Sequence, residues 1–146
     1  MKLVDANILL YAYDEAATLH APAKKWLREQ LSGAETFAFA WVVLLAFLRL
    51  GTSGRIFRSP LHADEALDII AAWLAQPNAV VVHPTERHTS MLRELLGPLG
   101  TAGNLTNDAH LAALSIEHGA TLCSADADFG RFAGVKWEDP LRGTAS

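Results

Sequence analysis

Short apolar runs alternate with helix-period segments along the whole chain, and this alternation restricts the fold more than any other feature. Lys2–Asp5, Thr36–Ala40, Ala79–Val82, Ala120–Cys123 and Val135–Trp137 each read as a strand. Between them, helical spacing predicts Ala6–Tyr13, Thr18–Leu31, Trp41–Leu50, Ala63–Leu74, a helix capped by Thr85 and carrying Met91, Leu92, Leu95 and Leu96, and Asn104–His118. Trp41–Leu50 is apolar nearly all round and predicts a buried helix. Ala127–Phe132 reads as a helical turn. Such alternation is the pattern of a parallel sheet covered by helices on both faces. The expectation is one α/β domain over residues 1–141, with residues 142–146 a short flexible tail.

Composition narrows the class. Of the 146 residues, 51% are hydrophobic and 19% charged, which excludes a disordered chain. A single cysteine, Cys123, excludes an intrachain disulfide framework and a multi-cysteine zinc site. Asp5, Asp14 and Glu15 interrupt the first apolar run before it can serve as a signal peptide. The longest uncharged apolar block, Phe37–Leu48, falls short of the ~20 residues of a spanning helix. A cytoplasmic protein with no membrane partner is expected. Twelve Lys and Arg stand against 16 Asp and Glu, a formal charge of −4, which disfavours a simple basic nucleic-acid binder.

In parallel α/β sheets, ligands bind beyond the carboxyl ends of the strands, and acids cluster at those positions here. Asp5 closes the first strand, while Asp126 and Asp128 follow the fourth. Asp108 lies in the helix Asn104–His118, on a polar stripe with Asn104 and Ser115. Each has a bland reading: Asp5, Asp126 and Asp128 as helix caps or turn formers, Asp108 as a solvated acid. Converging in a cleft, the four would repel one another unless a cation neutralised them. All-oxygen ligands favour Mg²⁺ or Mn²⁺ over zinc, and such a site suits water activation and phosphodiester chemistry.

The motifs carrying these acids resemble those of PIN-domain nucleases. Leu3-Val4-Asp5-Ala6-Asn7-Ile8-Leu9-Leu10 is similar to their opening, and Gly103–Ala113 to their central acidic helix. Ser124-Ala125-Asp126-Ala127-Asp128-Phe129 is similar to their late Ser/Thr-x-Asp-x-Asp-Phe segment. With Trp41–Gly51 and Arg55-Ile56-Phe57, the set resembles the VapC toxins of type II toxin–antitoxin systems, particularly a group common in mycobacteria. The resemblance implies a PIN-like three-layer sandwich with a central, mainly parallel sheet. It also implies a Mg²⁺- or Mn²⁺-dependent endoribonuclease, homodimeric and inhibited by a cognate VapB-like antitoxin. Asp5 and Asp108 then correspond to metal ligands, Asp126 and Asp128 to the remaining acids, and Asn7 and Ser124 to supporting polar positions. One departure stands out: many PIN domains carry a Glu on the helix after the second strand, where this chain has Ala46 or Phe47.

Two rival readings stay open. A catalytically silent PIN-like binding module fits the missing acid. A Mg²⁺-dependent phosphatase of the aspartyl-phosphate type would want a second Asp where Asn7 stands. For contact with RNA, no Asp or Glu occurs from Thr36 to Ala63, while Arg49, Arg55 and Arg58 all fall there. Lys24, Lys25 and Arg28 form a second basic patch that reads as a solvated helix face, and His110 as a core or surface histidine. Setting the four site acids aside leaves 12 acids against 12 bases, so the formal −4 equals the charge of the expected site.

Overall fold

The computed structural model describes residues 1–143; residues 144–146 of the expected tail lie outside it. Five strands, β1 (Lys2–Val4), β2 (Phe37–Phe39), β3 (Ala79–Val81), β4 (Thr121–Cys123) and β5 (Trp137–Glu138), form one sheet in the order β3-β2-β1-β4-β5, every pair parallel. Six helices connect them: α1 (Ala6–Tyr13), α2 (His20–Leu31), α3 (Trp41–Gly51), α4 (Ala63–Leu74), α5 (His88–Leu96) and α6 (Thr106–Glu117). The chain steps from β1 through β2 to β3 in one direction, then crosses back to β4. Right-handed crossovers therefore put α1–α4 on one face and α5–α6 on the other, in keeping with the α1–α2, α1–α3, α3–α4 and α5–α6 packing. The switch in direction falls at β1, next to β4, where a ligand crevice is expected.

The core follows from the sequence pattern. β1, β2 and β4 lie in the middle of the sheet and are almost wholly buried apolar, as strands covered on both faces must be. An aromatic cluster spans the α1–α4 face. Trp73 stacks on Phe39 with centroids 5.6 Å apart and meets Phe47 edge-on at 4.8 Å and Tyr13 at 5.9 Å. Phe39 leads on through Phe37 to Trp26. Gly119 ends α6 at φ +64°, a left-handed conformation that favours glycine.

Several local expectations differ from the structure. The predicted helix Asn104–His118 is split: Gly103–Leu105 is a 3-10 turn and α6 begins at Thr106. Thr85 lies upstream of the α5 cap, Arg87; its hydroxyl accepts from the Arg87 amide and donates to Glu117. The last strand is shifted to Trp137–Glu138. Helix α3 is not buried all round, since Trp41 is 47% and Leu45 56% exposed. Among the described residues no helix is long and apolar enough to cross a membrane.

Candidate active site

Adjacency of β1 and β4 brings together residues 119 positions apart. Val4 pairs with Cys123, so the next residue on each strand, Asp5 and Ser124, emerges side by side at the carboxyl edge. Ser124 is fully buried, and its hydroxyl donates to Asp5 Oδ2 at 2.7 Å. The same oxygen accepts from Asn7 Nδ2 at 3.1 Å and from the Asp126 amide at 3.0 Å. One donated and two accepted bonds exhaust a hydroxyl, so Ser124 is fixed in orientation and fixes Asp5 with it. Asn7 closes the loop by accepting from the Ala125 amide at 3.3 Å.

The bland and the functional readings of the acids coexist. Asp5 caps α1, its Oδ1 accepting from the Ala6 amide at 2.7 Å. Asp126 caps the 3-10 turn Ala127–Arg131, accepting from the Asp128 amide at 2.9 Å. Each carboxylate offers a second oxygen. Asp128 is exposed and pairs with Arg131 at 3.2 Å. Asp108 stands in the first turn of α6. Its stripe is not the expected one: Ser115 is buried and its hydroxyl bonds the Ala112 carbonyl of its own helix, while Asn104 sits in the preceding 3-10 turn.

Electrostatics single out two of the four. Burial pushes the Asp5 carboxyl above the usual range; the Ser124 and Ala6 hydrogen bonds oppose this and the Asp126 charge adds to it. Asp108 is also raised, first by burial and then by the charges of Asp5, Asp126 and Asp128, with Arg131 opposing. Burial and neighbouring negative charge thus penalise the ionised forms of Asp5 and Asp108.

Asp5 and Asp108 line a cavity of about 400 Å³ walled by Asn107 and Leu111 of α6 and by Val42, Ala46 and Arg49 of α3. Helix α3 resolves the choice between Ala46 and Phe47. Phe47 is fully buried in the aromatic cluster, and Ala46 presents a methyl to the pocket. Of the three arginines, Arg49 reaches this pocket. Arg58 lines a different hollow with Tyr13 and Asp14, and Arg55 is exposed in the loop after α3. Lys24 and Arg28 edge a hollow of about 430 Å³ floored by Tyr13, Leu27 and Trp73, which contains none of the four acids.

Donor chemistry and repulsion fit a hard divalent cation. Among the described residues, no three His, Cys, Asp or Glu side chains form a group able to hold a metal ion. Asp5 and Asp108 are the two of the four acids that line the same cavity.

One polar constellation has no clear sequence signal. Glu117, its side chain fully buried, accepts from the Thr85 hydroxyl at 2.6 Å and contacts His88 Nδ1 at 2.5 Å. His88 Nε2 in turn meets His110 Nδ1 at 2.8 Å. Burial would raise the Glu117 carboxyl, but the bonds from Thr85 and His88 hold it below its ordinary value. Burial, then the neighbouring His88, lowers the His110 imidazole. The chain of bonds ties α5 to α6, the helix that carries Asp108. Cys123 is buried too, and burial followed by the nearby Glu138 charge pushes its thiol up, away from thiolate chemistry.

A strand-edge acid fixed by a serine, facing a second acid on a helix, is the arrangement to set beside known proteins. The chain matches the PIN domain over residues 2–135. It belongs to the PIN-domain family, in its VapC group. Ribonuclease VapC37 of Mycobacterium tuberculosis is 52% identical over 96% of this chain and 97% of that protein. Ribonuclease VapC33 of the same species is 39% identical over 97% and 99%. Among solved structures, VapBC-1 from nontypeable Haemophilus influenzae superposes with a TM-score of 0.67 at 17% identity, covering 97% of this chain and 98% of that one. VapC20 of Mycobacterium tuberculosis, described as a sarcin–ricin loop cleaving toxin, gives 0.62 at 20% identity over 93% and 99%. At these identities the superpositions speak for the α/β fold.

Proposed function

We propose that the chain is the toxin of a type II toxin–antitoxin system, an endoribonuclease that depends on Mg²⁺ or Mn²⁺. The observation that carries the reading is the facing pair Asp5 and Asp108, both raised by burial and negative neighbours at the switch point of a VapC-group PIN fold. Asp5 and Asp108 would hold the ion, with Asp126 and Asp128 as further acids acting directly or through water. When bound, the ion neutralises the carboxylates and makes a water molecule acidic enough to attack phosphorus.

The residues of the chain do the rest. Ser124, backed by Asn7, keeps Asp5 in one rotamer, so no reorganisation is needed when substrate arrives. Asp126 or Asp128 orients the attacking water and takes its proton as the water oxygen bonds to phosphorus and the bond to the leaving ribose oxygen breaks. Arg49, with Arg55 and Arg58 further out, contacts the RNA backbone. A homodimer and a VapB-like antitoxin complete the assembly. Support comes from relatives named VapC ribonucleases and from solved VapBC structures of the same fold.

The test is cleavage of RNA by purified protein with EDTA, Mg²⁺ or Mn²⁺. Cleavage should require the metal, and Asp5→Asn or Asp108→Asn should lower kcat on the order of 10²–10³-fold with folding intact. Full activity in either variant, or cleavage in EDTA, overturns the assignment.

A further inference from the structure

Asp5 and Asp108 line one pocket, yet they are held there in different ways. Asp5 is fixed by the Ser124 hydroxyl and the Ala6 amide. Among the described residues, no hydrogen bond reaches the Asp108 carboxylate, so its place depends on where α6 sits. The chain enters α6 through a 3-10 turn, and its N-cap, Leu105, offers no side-chain bond. The buried face of α6 is largely alanine, with Ala109, Ala112 and Ala113 beside Leu111 and Leu114. Such small side chains make shallow ridges that resist sliding less than large ones do. Directional bonds therefore matter more for its placement. At its C-terminal end α6 is tied several times to the segment around the start of α5. The Thr85 amide and hydroxyl both donate to Glu117 Oε1, Arg87 Nη2 donates to the Glu117 carbonyl at 3.3 Å, and His118 Nε2 meets the His83 carbonyl at 2.7 Å. Towards the Asp108 end, the one side-chain bond to another helix or strand among the described residues is that of His110 to His88, their rings edge-on with centroids 4.8 Å apart.

We infer that His88, locked by Glu117, is a positioning residue for Asp108: it links the anchored end of α6 to His110, two residues after Asp108, and so sets Asp108 against Asp5. This rests on the reading of Asp108 as an ion-holding acid. The direction of the bonds makes the link specific. Burial opposes ionisation of Glu117, but the bonds from Thr85 and His88 outweigh it, and an ionised carboxylate only accepts. His88 must then donate from Nδ1. In the neutral imidazole this leaves Nε2 as an acceptor, so His110 donates from Nδ1. Both tautomers thus follow from one buried carboxylate. A shifted or rotated α6 would carry Glu117 away from its donor and leave a buried acid short of a partner, a costly arrangement. A fully satisfied buried network of this kind specifies one arrangement of the helices it joins. An ion held jointly by Asp5 and Asp108 is sensitive to that arrangement. Removing the groups that orient metal-holding side chains typically costs roughly ten- to a hundredfold in affinity or activity.

The experiment uses the full chain, first metal-free and then with Mn²⁺ alone. The variants are His88→Leu, His88→Gln and, as a control for lost stability, Leu95→Ala, a buried leucine of α5 outside this chain of bonds. Mn²⁺ affinity is read from the paramagnetic resonance of the free ion. Amide hydrogen exchange in the metal-free protein is read by NMR. His88→Leu should weaken Mn²⁺ binding on the order of tenfold and speed exchange at His110 and Leu111 more than at Leu114 and Ser115. His88→Gln should recover most of both losses, because one amide N–H and one carbonyl can replace the donor and acceptor of the ring. Leu95→Ala should melt at a lower temperature yet, well below it, bind Mn²⁺ as the unmodified chain does. If His88→Leu does not fold, His88→Asn, too short to reach both partners, takes its place with the same expectations. Mn²⁺ binding that the removal of His88 leaves unchanged overturns the inference, and so does unchanged exchange at His110 and Leu111. An equal loss of Mn²⁺ binding in Leu95→Ala also overturns it, since the link is then a matter of stability alone. If the unmodified chain binds no Mn²⁺ while exchange at His110 and Leu111 still accelerates in His88→Leu, the ion reading fails and the positioning of α6 by His88 stands.

Discussion

The two sides of α3 face opposite worlds. Phe47 looks into the aromatic cluster of Tyr13, Phe39 and Trp73, meeting Tyr13 and Trp73 edge-on while Trp73 stacks on Phe39. Ala46, one residue earlier, looks into a pocket it shares with Arg49, Asn107 and two acids raised first by burial and then by neighbouring negative charge. The first side gains stability from every contact it makes. The second borders carboxyls whose ionised forms are penalised by burial and by one another's charge, the feature on which the proposed cation site rests. One helix thus carries the rigidity of the core to within a residue of the least settled part of the molecule.

The contrast can be broken most severely from the core side. Phe47→Ala should cost about 3–5 kcal/mol in denaturant unfolding, because it removes a fully buried ring and leaves a cavity. A loss below 1 kcal/mol in that titration would mean the cluster does not stiffen α3. A smaller effect is expected at the border between the two regions. Ser124→Ala should cost about 1–3 kcal/mol, since Asn7 and the Asp126 amide lose a buried acceptor. It should also reduce kcat, because Asp5 is released from its fixed rotamer; unchanged kcat would assign Ser124 a purely structural role.

The smallest effect comes from the pocket alone and has the opposite sign. Asp5 and Asp108 have folded-state values above their ordinary ones, so the folded chain binds more protons than the unfolded chain across that interval. Metal-free protein should therefore gain stability as pH falls through the raised values and lose it as pH rises. Asp108→Asn should raise the melting temperature of the metal-free protein slightly, on the order of 2 °C, and flatten this pH dependence. A lower melting temperature in that variant would show that Asp108 is stabilised by partners.

Legibility divides along the same line. The strand β1 and helix α1 could be read residue by residue, because an apolar run ending on Asp5 is both a strand end and a helix cap. Asp5, Asn7, Ser124 and Asp126 could be named from motif order alone. The Asn104–Ser115 stripe misled, because a 3-10 turn before Thr106 removes Asn104 from the helix and Ser115 satisfies itself on the backbone. The exposure of Trp41 and Leu45 was not legible either. Hydrophobicity says that a face is apolar, not whether this chain is what covers it.

What the sequence by itself determined is local: the alternation of strand and helix and the acids at strand ends. Each depends on neighbours within a turn or a strand length. What only the tertiary structure decided is which of those pieces meet. The order β3-β2-β1-β4-β5 sets Val4 beside Cys123 and so Asp5 beside Ser124. The rotation of α3, about 100° per residue, turns Phe47 to the core and Ala46 to the pocket. Pairing and rotation are settled by burying the whole apolar surface at once, and no stretch of sequence carries that sum by itself.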